Sequence, residues 1–273
     1  MKEMTINEIK QCAFNILLYL DVFCKEKGIT YWLCGGTLIG AMRHKGFIPW
    51  DDDIDIMMPR KEYDRFCSEF PKEGRYQLLT SDNTENFPYA FGKIVDTTTI
   101  KQEPLRKKFQ VIGVDIDVFP IDNYPDDLMA ANKMCHDIKV EQRKLHSILA
   151  NYSKGRNVIR TIAHFLISAF WHIADDLHIS SAKKYISRIQ QLSQQYNMTE
   201  TNHCGIAIIA HYGIREMNEK TVYASSMEVE FEGQMFPAPV GYNTYLTNLY
   251  GDYMQLPPED KRVTHHAYKA YWK

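Results

Sequence analysis

The chain has no cysteine pair at C-x-x-C spacing. Its six cysteines, Cys12, Cys24, Cys34, Cys67, Cys135 and Cys204, are scattered, and none stands near a histidine at zinc-like spacing. That pattern argues against a disulfide framework or a structural zinc, and for reduced thiols in the cytoplasm. Basic tails and Lys/Arg blocks are lacking too. With a formal net charge of −2 over 273 residues, nucleic acid is not expected as a partner. No apolar run follows Lys2 in "MKEMTINEIKQ", so a secretory signal is not expected either. Internal repeats and low-complexity linkers are missing, and no apolar run reaches the ~20 residues that span a bilayer. The longest, "VIRTIAHFLISAFWHIA" at 158–174, is broken by Arg160, His164, Ser168 and His172, with Asp176 continuing the row. This narrow polar stripe predicts a buried core helix. A helix lying against lipid headgroups is the alternative.

What is present begins with a helix signature. Thr5 and Glu8 stand at capping-box spacing, Ile9, Ala13, Ile16, Leu17 and Leu20 recur at helical intervals, and Gly28 is a natural stop. A helix over 6–27 follows. "ITYWLCGG" reads as a strand ending in two glycines, "TLIGAMRH" as a helix start, "DDIDIMM" as a strand and "RKEYDRFCSEF" as a helix. Strand signals dominate from Tyr76 to Val118, and helical ones from Pro125 to Tyr196. The Tyr-, Gly- and Pro-rich C-terminal part reads as loops around one helix. The expected fold is α+β: a mixed sheet with flanking helices in a catalytic core over 1–124. A helical half with substrate-site loops follows over 125–273, separate or integrated with the core.

The chemistry concentrates in "GFIPWDDDIDIMMPR", 46–60. Acidic runs usually sit among Lys, Ser and Gly, yet these acids are interleaved with Ile48, Trp50, Ile54 and Ile56. On a strand Asp51, Asp53 and Asp55 share one face and Asp52 points opposite. "GVDIDVFPID" repeats the device with Asp115 and Asp117. Adjacent strands would bring these acids to one site, where mutual repulsion calls for a cation. Hard oxygen ligands without His or Cys suit Mg²⁺ or Mn²⁺. An acidic surface turn fits poorly with the isoleucines. A calcium loop is also disfavoured, because Ile56 stands where its sharp turn requires glycine.

Gly35 and Gly36, followed by Thr37, would let backbone N–H groups cradle a phosphate at a helix start. Arg43, His44 and Lys45 either neutralise a diphosphate or form a solvated turn, and Lys93 in "FGKIVD" is a further candidate cation.

"GGTLIGAMRHKGFIPWDDDIDIMMPRKEYDRF" closely resembles the hallmark stretch of the LicD family of phosphotransferases. The resemblance continues in "GVDIDVFPID" and in "YLTNLYGDYMQLPPEDKR", ending near His265 and His266, while about 125–200 carries no family motif. It implies a nucleotidyltransferase-like fold and a Mg²⁺-dependent enzyme. Such an enzyme moves a phosphoalcohol, phosphocholine in characterised types, from a CDP-alcohol such as CDP-choline to a glycan hydroxyl and releases CMP. Acceptors implied are lipopolysaccharide, teichoic acid, capsule or a lipid-linked oligosaccharide. The related fukutin-related proteins use CDP-ribitol. Carried over, Asp53 and Asp55 are the principal metal ligands and Asp51 the leading acid. Asp117 is the later-strand carboxylate, as ligand or general base, and Asp115 the less certain member of that pair. Arg43 or Lys93 would face equatorial phosphoryl oxygens. If choline is the cargo, an aromatic cage is expected, with Tyr250 and Tyr253 the candidates nearest a family-like motif. Location would be cytoplasmic, with peripheral contact at the inner membrane face. The rivals are a nucleotidyltransferase acting on a small molecule or sugar, a D-x-D glycosyltransferase, and a non-enzymatic metal-binding or membrane-associated protein.

Overall fold

The computed structural model describes residues 1–109, 113–150, 158–177, 181–264 and 268–273. After β1 (Lys2–Glu3), Glu8 N–H donates to Thr5 Oγ1 (3.2 Å) and Thr5 N–H donates to the Glu8 carboxylate (2.8 Å). This reciprocal cap starts α1 (Ile6–Lys27), which stops at Gly28 in the left-handed region, φ 62°. Then come β2 (Trp32–Leu33), α2 (Gly35–His44), β3 (Asp55–Pro59), α3 (Arg60–Glu69), β4 (Tyr76–Leu79) and β5 (Gly92–Asp96). "TTTIKQ" turns at Thr97 and Thr98 into a separate strand, β6 (Thr99–Gln102), ahead of β7 (Asp115–Tyr124). Helices α4 (Leu128–Leu149), α5 (Val158–Asp176) and α6 (Ala182–Gln194) occupy the stretch expected to be helical. The remainder holds β8 (His203–Gly205), β9 (Asn218–Glu219), β10 (Ser226–Phe231), β11 (Gln234–Pro239), α7 (Tyr242–Tyr250) and β12 (Lys269–Trp272).

The fold is α+β. The main sheet has the order β2-β3-β7-β5-β4, with β8 adding to β7 and β9 to β8. Only β3 and β7 run parallel; the other neighbours are antiparallel. A smaller sheet joins β1, β12 and β6, so the end of the chain lies between its start and the strand region. One apolar cluster runs from Met4 to Ala270 and includes α1, the central strands, α4, α6 and α7.

Three local expectations need correction. The strand after the acidic run begins at Asp55, not Asp52, because the ladder from β7 ends where Asp117 N–H meets Ile54 O (2.9 Å). The alternation persists in the irregular stretch before it: Asp52, Ile54 and Ile56 are buried while Asp51, Asp53 and Asp55 are partly exposed. The "QMFPAP" stretch, read as loop, is β11 paired with β10. Its two prolines weaken the strand signal, yet an outer strand of a two-stranded hairpin tolerates them.

The third correction is α5. Its apolar side chains face outward: Ile162, Phe165, Leu166, Ile167, Phe170, Ile173 and Leu177 are all more than half exposed. Its buried polar residues, His172 and Asp175, face the protein. Buried His172 pairs through Nε2 with Ala150 O (3.0 Å), and Asp175 pairs with Arg106 (2.9 Å) and Lys108 (2.7 Å). Periodicity marks an apolar face without saying what covers it, and the two cations that draw the acids inward lie far away in sequence. No described helix is long and apolar enough to cross a membrane.

Candidate active site

The parallel pairing of β3 with β7 puts Asp55 beside Asp117 in register. On the other side of β7, Lys93 is the register partner of Asp117 and Val95 that of Asp115. Three neighbouring strands therefore present Asp55, Asp117 and Lys93 in a row. Lys93 Nζ donates to Asp117 and to Asp115 (2.6 Å). The second Asp115 oxygen accepts from Lys101 Nζ at 2.5 Å. A cavity of about 200 Å³ opens here, lined by Asp53, Lys93, Asp115, Asp117, Tyr89 and Tyr268 among others.

The glycine pair belongs to the first turn of α2, not to the strand before it. Gly35 has φ +52°, and a Cβ there would stand 3.1 Å from Asp55 Oδ2; one on Gly36 would stand 3.0 Å from Asp51 Oδ2. Both glycines thus make room for carboxylates to close on the helix N-terminus, whose dipole favours negative charge. Thr37 Oγ1 accepts from Asp55 N–H (2.8 Å) and so ties the start of β3 to the same turn. Tyr245 and Tyr250 of α7 close it from behind. Gly35 N–H donates to Tyr245 Oη (3.4 Å), and Tyr250 Oη lies 3.6 Å from the place of a Gly35 Cβ.

The charges are unevenly matched. Burial pushes the Asp115 carboxyl up, but Lys101 and Lys93 outweigh it and hold the group at about 2. Burial lowers Lys93, and Asp115 and Asp117 more than offset that, keeping it well above an ordinary lysine. Asp117 shares its lysine with Asp115, and burial leaves it raised. Asp55 is raised further, by burial and then by Asp53, Asp117 and Asp51. Asp115 is therefore neutralised by protein cations, whereas the group around Asp55 carries excess negative charge.

Among the described residues no three acidic, His or Cys side chains converge closely enough to form a ready-made cage for a metal ion. The donor set still suits Mg²⁺ or Mn²⁺, which take one or two protein carboxylates and complete their shell with water and phosphate oxygens. Asp55 and Asp117 form such a pair, with Asp53 on the adjoining cavity wall.

Arg43 lies apart from this row. It stands about 12 Å along α2 from Gly35, at 1.5 Å per residue, and its guanidinium holds the C-terminal segment through Tyr253 O (2.7 Å) and Gln255 O (3.3 Å). Its Nε donates to His44 Nε2 at 2.9 Å, and Lys45 forms the left-handed end of the helix. Of the tyrosines singled out, Tyr250 reaches the site, while Tyr253 donates to Asn243 Oδ1 (2.8 Å). His265 and His266 lie outside the described residues.

Lys101 and Tyr268 were not anticipated as site residues. Lys93 lies 4.5 Å from the Tyr89 ring centroid, Lys101 lies 4.6 Å from that of Tyr268, and Tyr268 Oη donates to Asp52 Oδ2 (2.8 Å). The available signal was Lys101 alternating with Thr99 on the inward face of β6, both buried.

A helix N-terminus set against strand-end carboxylates is chemically suited to a phosphate group held through a divalent ion. The profile described as LicD/FKTN/FKRP, nucleotidyltransferase domain, matches residues 28–152. Over 99% of both chains, the sequence is 30% identical to the lipopolysaccharide cholinephosphotransferase LicD of Haemophilus influenzae. It is 59% identical over 38 residues to human ribitol 5-phosphate transferase FKRP, covering 14% of this chain and 8% of that protein. The chain belongs to the LicD family and is a transferase of that type.

Proposed function

We propose that the enzyme transfers a phosphoalcohol group, phosphocholine, from CDP-choline to a hydroxyl of a cell-surface glycan such as lipopolysaccharide. The incoming hydroxyl oxygen bonds to the phosphorus bearing the alcohol, the diphosphate P–O bond breaks, and CMP leaves. Full-length similarity to a cholinephosphotransferase, with Asp55 and Asp117 in register at a helix N-terminus, carries this reading.

The residues divide the work. Asp53, Asp55 and Asp117 would hold Mg²⁺ or Mn²⁺, which supplies positive charge to offset that gathering on the diphosphate. Thr37 fixes the backbone of Asp55, and the first turn of α2 offers N–H groups to phosphate oxygens. Lys93 sits beside Asp117 and faces the same cavity, where it steadies equatorial phosphoryl oxygens. Where Asp117 is not a metal ligand, it is the carboxylate beside the cavity that would accept the hydroxyl proton. Activated cytidine donors place the reaction in the cytoplasm, and a lipid-linked acceptor calls for peripheral contact at the inner membrane face.

The test is incubation of the purified chain with CDP-alcohols, Mg²⁺ and lipopolysaccharide, with nucleotide products followed. CMP release with CDP-choline is expected. Pyrophosphate from a nucleoside triphosphate would make it a nucleotidyltransferase, and a nucleoside diphosphate from a sugar nucleotide a glycosyltransferase. Metal binding with no turnover on any donor would reject an enzymatic role.

A further inference from the structure

We infer that the outward face of α5 is a docking surface for an anionic lipid bilayer. Ile162, Phe165, Leu166, Phe170, Ile173 and Leu177 fall at helical spacing on one side, each more than half exposed. Five such residues along one face of a 19-residue helix, with Leu177 just past its end, exceed what a monomer ordinarily leaves in water. The orientation is enforced. Asp175 and Asp176 are tied to Arg106 and Lys108, His172 is tied to Ala150 O, and Trp171 packs edge-on to Tyr185 with centroids 6.1 Å apart. Rolling the helix to hide its apolar side would break this one cluster of two cations and two carboxylates.

Charge selects the occupant. Ahead of and within α5 the sequence carries Lys154, Arg156 and Arg160, with no acidic residue between Gln142 and Ala174, in a chain whose net charge is −2. A second copy carries the same basic stretch and so offers it no opposite charge. A bilayer rich in anionic headgroups offers opposite charge around an apolar interior, the pairing that interfacial helices use. The helix is about 28 Å long at 1.5 Å per residue, and it would lie in the membrane plane, since no described helix is long and apolar enough to cross it. The surface serves the acceptor of the proposed reaction if that glycan is lipid-linked; the docking itself does not depend on that reading.

The experiment is sedimentation of the full chain with vesicles of phosphatidylglycerol and phosphatidylcholine, beside vesicles of phosphatidylcholine alone. The wild-type chain should pellet with the mixed vesicles, less at high salt, and at least fivefold less with the neutral ones. Phe165→Ser combined with Phe170→Ser should lower pelleting at least tenfold, with an unchanged melting midpoint and unchanged mass by light scattering. Failure to pellet with either vesicle, equal pelleting of variant and wild type, or a wild-type dimer that the variant splits would each overturn the inference. Turnover is not part of the readout, so these results stand whether or not CMP release is found.

Discussion

Asp55 and Asp117 are register partners on adjacent parallel strands, and the backbone N–H of Asp117 is bonded to the residue before Asp55, at Ile54 O (2.9 Å). Their backbones cannot separate without breaking that ladder. Like charges in such positions destabilise a sheet, and the fold accepts the strain at the place where phosphate chemistry needs it.

The first prediction concerns this pair. Asp55 is raised by burial and by Asp53, Asp117 and Asp51, so the folded chain holds its proton more tightly than the unfolded one. Its contribution is fully present below the ordinary carboxylate range and is lost as pH rises through the raised value. Asp55→Asn should stabilise the protein at pH 7 by about 1 kcal/mol, the scale of one unfavourable cross-strand pair. Turnover should fall roughly 10²–10³-fold. Mg²⁺ should raise the melting midpoint of the wild type and leave that of Asp55→Asn unmoved. A variant that melts lower and retains activity would remove Asp55 from the site.

Lys93 is the opposite case. It is buried and bridges Asp115 and Asp117, so Lys93→Met leaves both acids short of a cation. A loss of about 3–5 kcal/mol is expected, the usual effect of removing one partner from a buried pair. Lys93→Met with Asp117→Asn should recover part of it, because one of the stranded charges goes too. Urea unfolding of the single and double variants measures the coupling, and strict additivity would refute it.

Acid should act through Asp115. Its folded value, about 2, lies below the ordinary carboxylate value because Lys101 and Lys93 outweigh burial. Stability from this group is present above pH 4 and is lost as pH falls through about 2. The loss amounts to roughly 2 kcal/mol. Asp115→Asn should be less stable than wild type at pH 6, with the difference narrowing toward pH 2. Unfolding midpoints across that range decide it, and a constant difference would assign the effect to packing alone.

Much of the site was legible because its signals are local. The period-two acids before Ile56, the second D-x-D, the capping box at Thr5 and the glycines ahead of Thr37 all lie within a few residues of what they control. What escaped depends on partners brought in by the fold. Lys101 and Tyr268 reach Asp115 and Asp52 only because β12 pairs with β6. Arg43, adjacent in sequence to the motif, points away to Tyr253 and Gln255 because a helix carries it to the far end of α2. The outward roll of α5 was set by Arg106 and Lys108, which no helical periodicity contains.

Glu216 lay in no motif, and it yields the last prediction. It is 1% exposed, and its Oε2 has no hydrogen-bond partner among the described residues. Burial pushes its carboxyl up to about 8, only partly countered by a hydrogen bond from the Ile206 backbone and by Arg215. At pH 7 the folded chain therefore holds Glu216 largely protonated, while the unfolded chain has released that proton. Stability from this group is complete below its ordinary value near 4.5 and drains away as pH rises through about 8. Between pH 6 and pH 9 the loss is about 2–3 kcal/mol. Glu216→Gln keeps the size and a hydrogen-bonding amide but cannot ionise. It should unfold at nearly the same urea concentration as wild type at pH 4, and at an increasingly higher one from pH 6 to pH 9. Tyr245, whose ring is buried near this carboxyl and whose hydroxyl accepts from Gly35 N–H, links the group to the turn at Asp55. Activity of the wild type should therefore decline at alkaline pH more steeply than that of Glu216→Gln. Parallel loss of stability in both proteins from pH 6 to pH 9 would show that the carboxyl is already ionised in the folded chain.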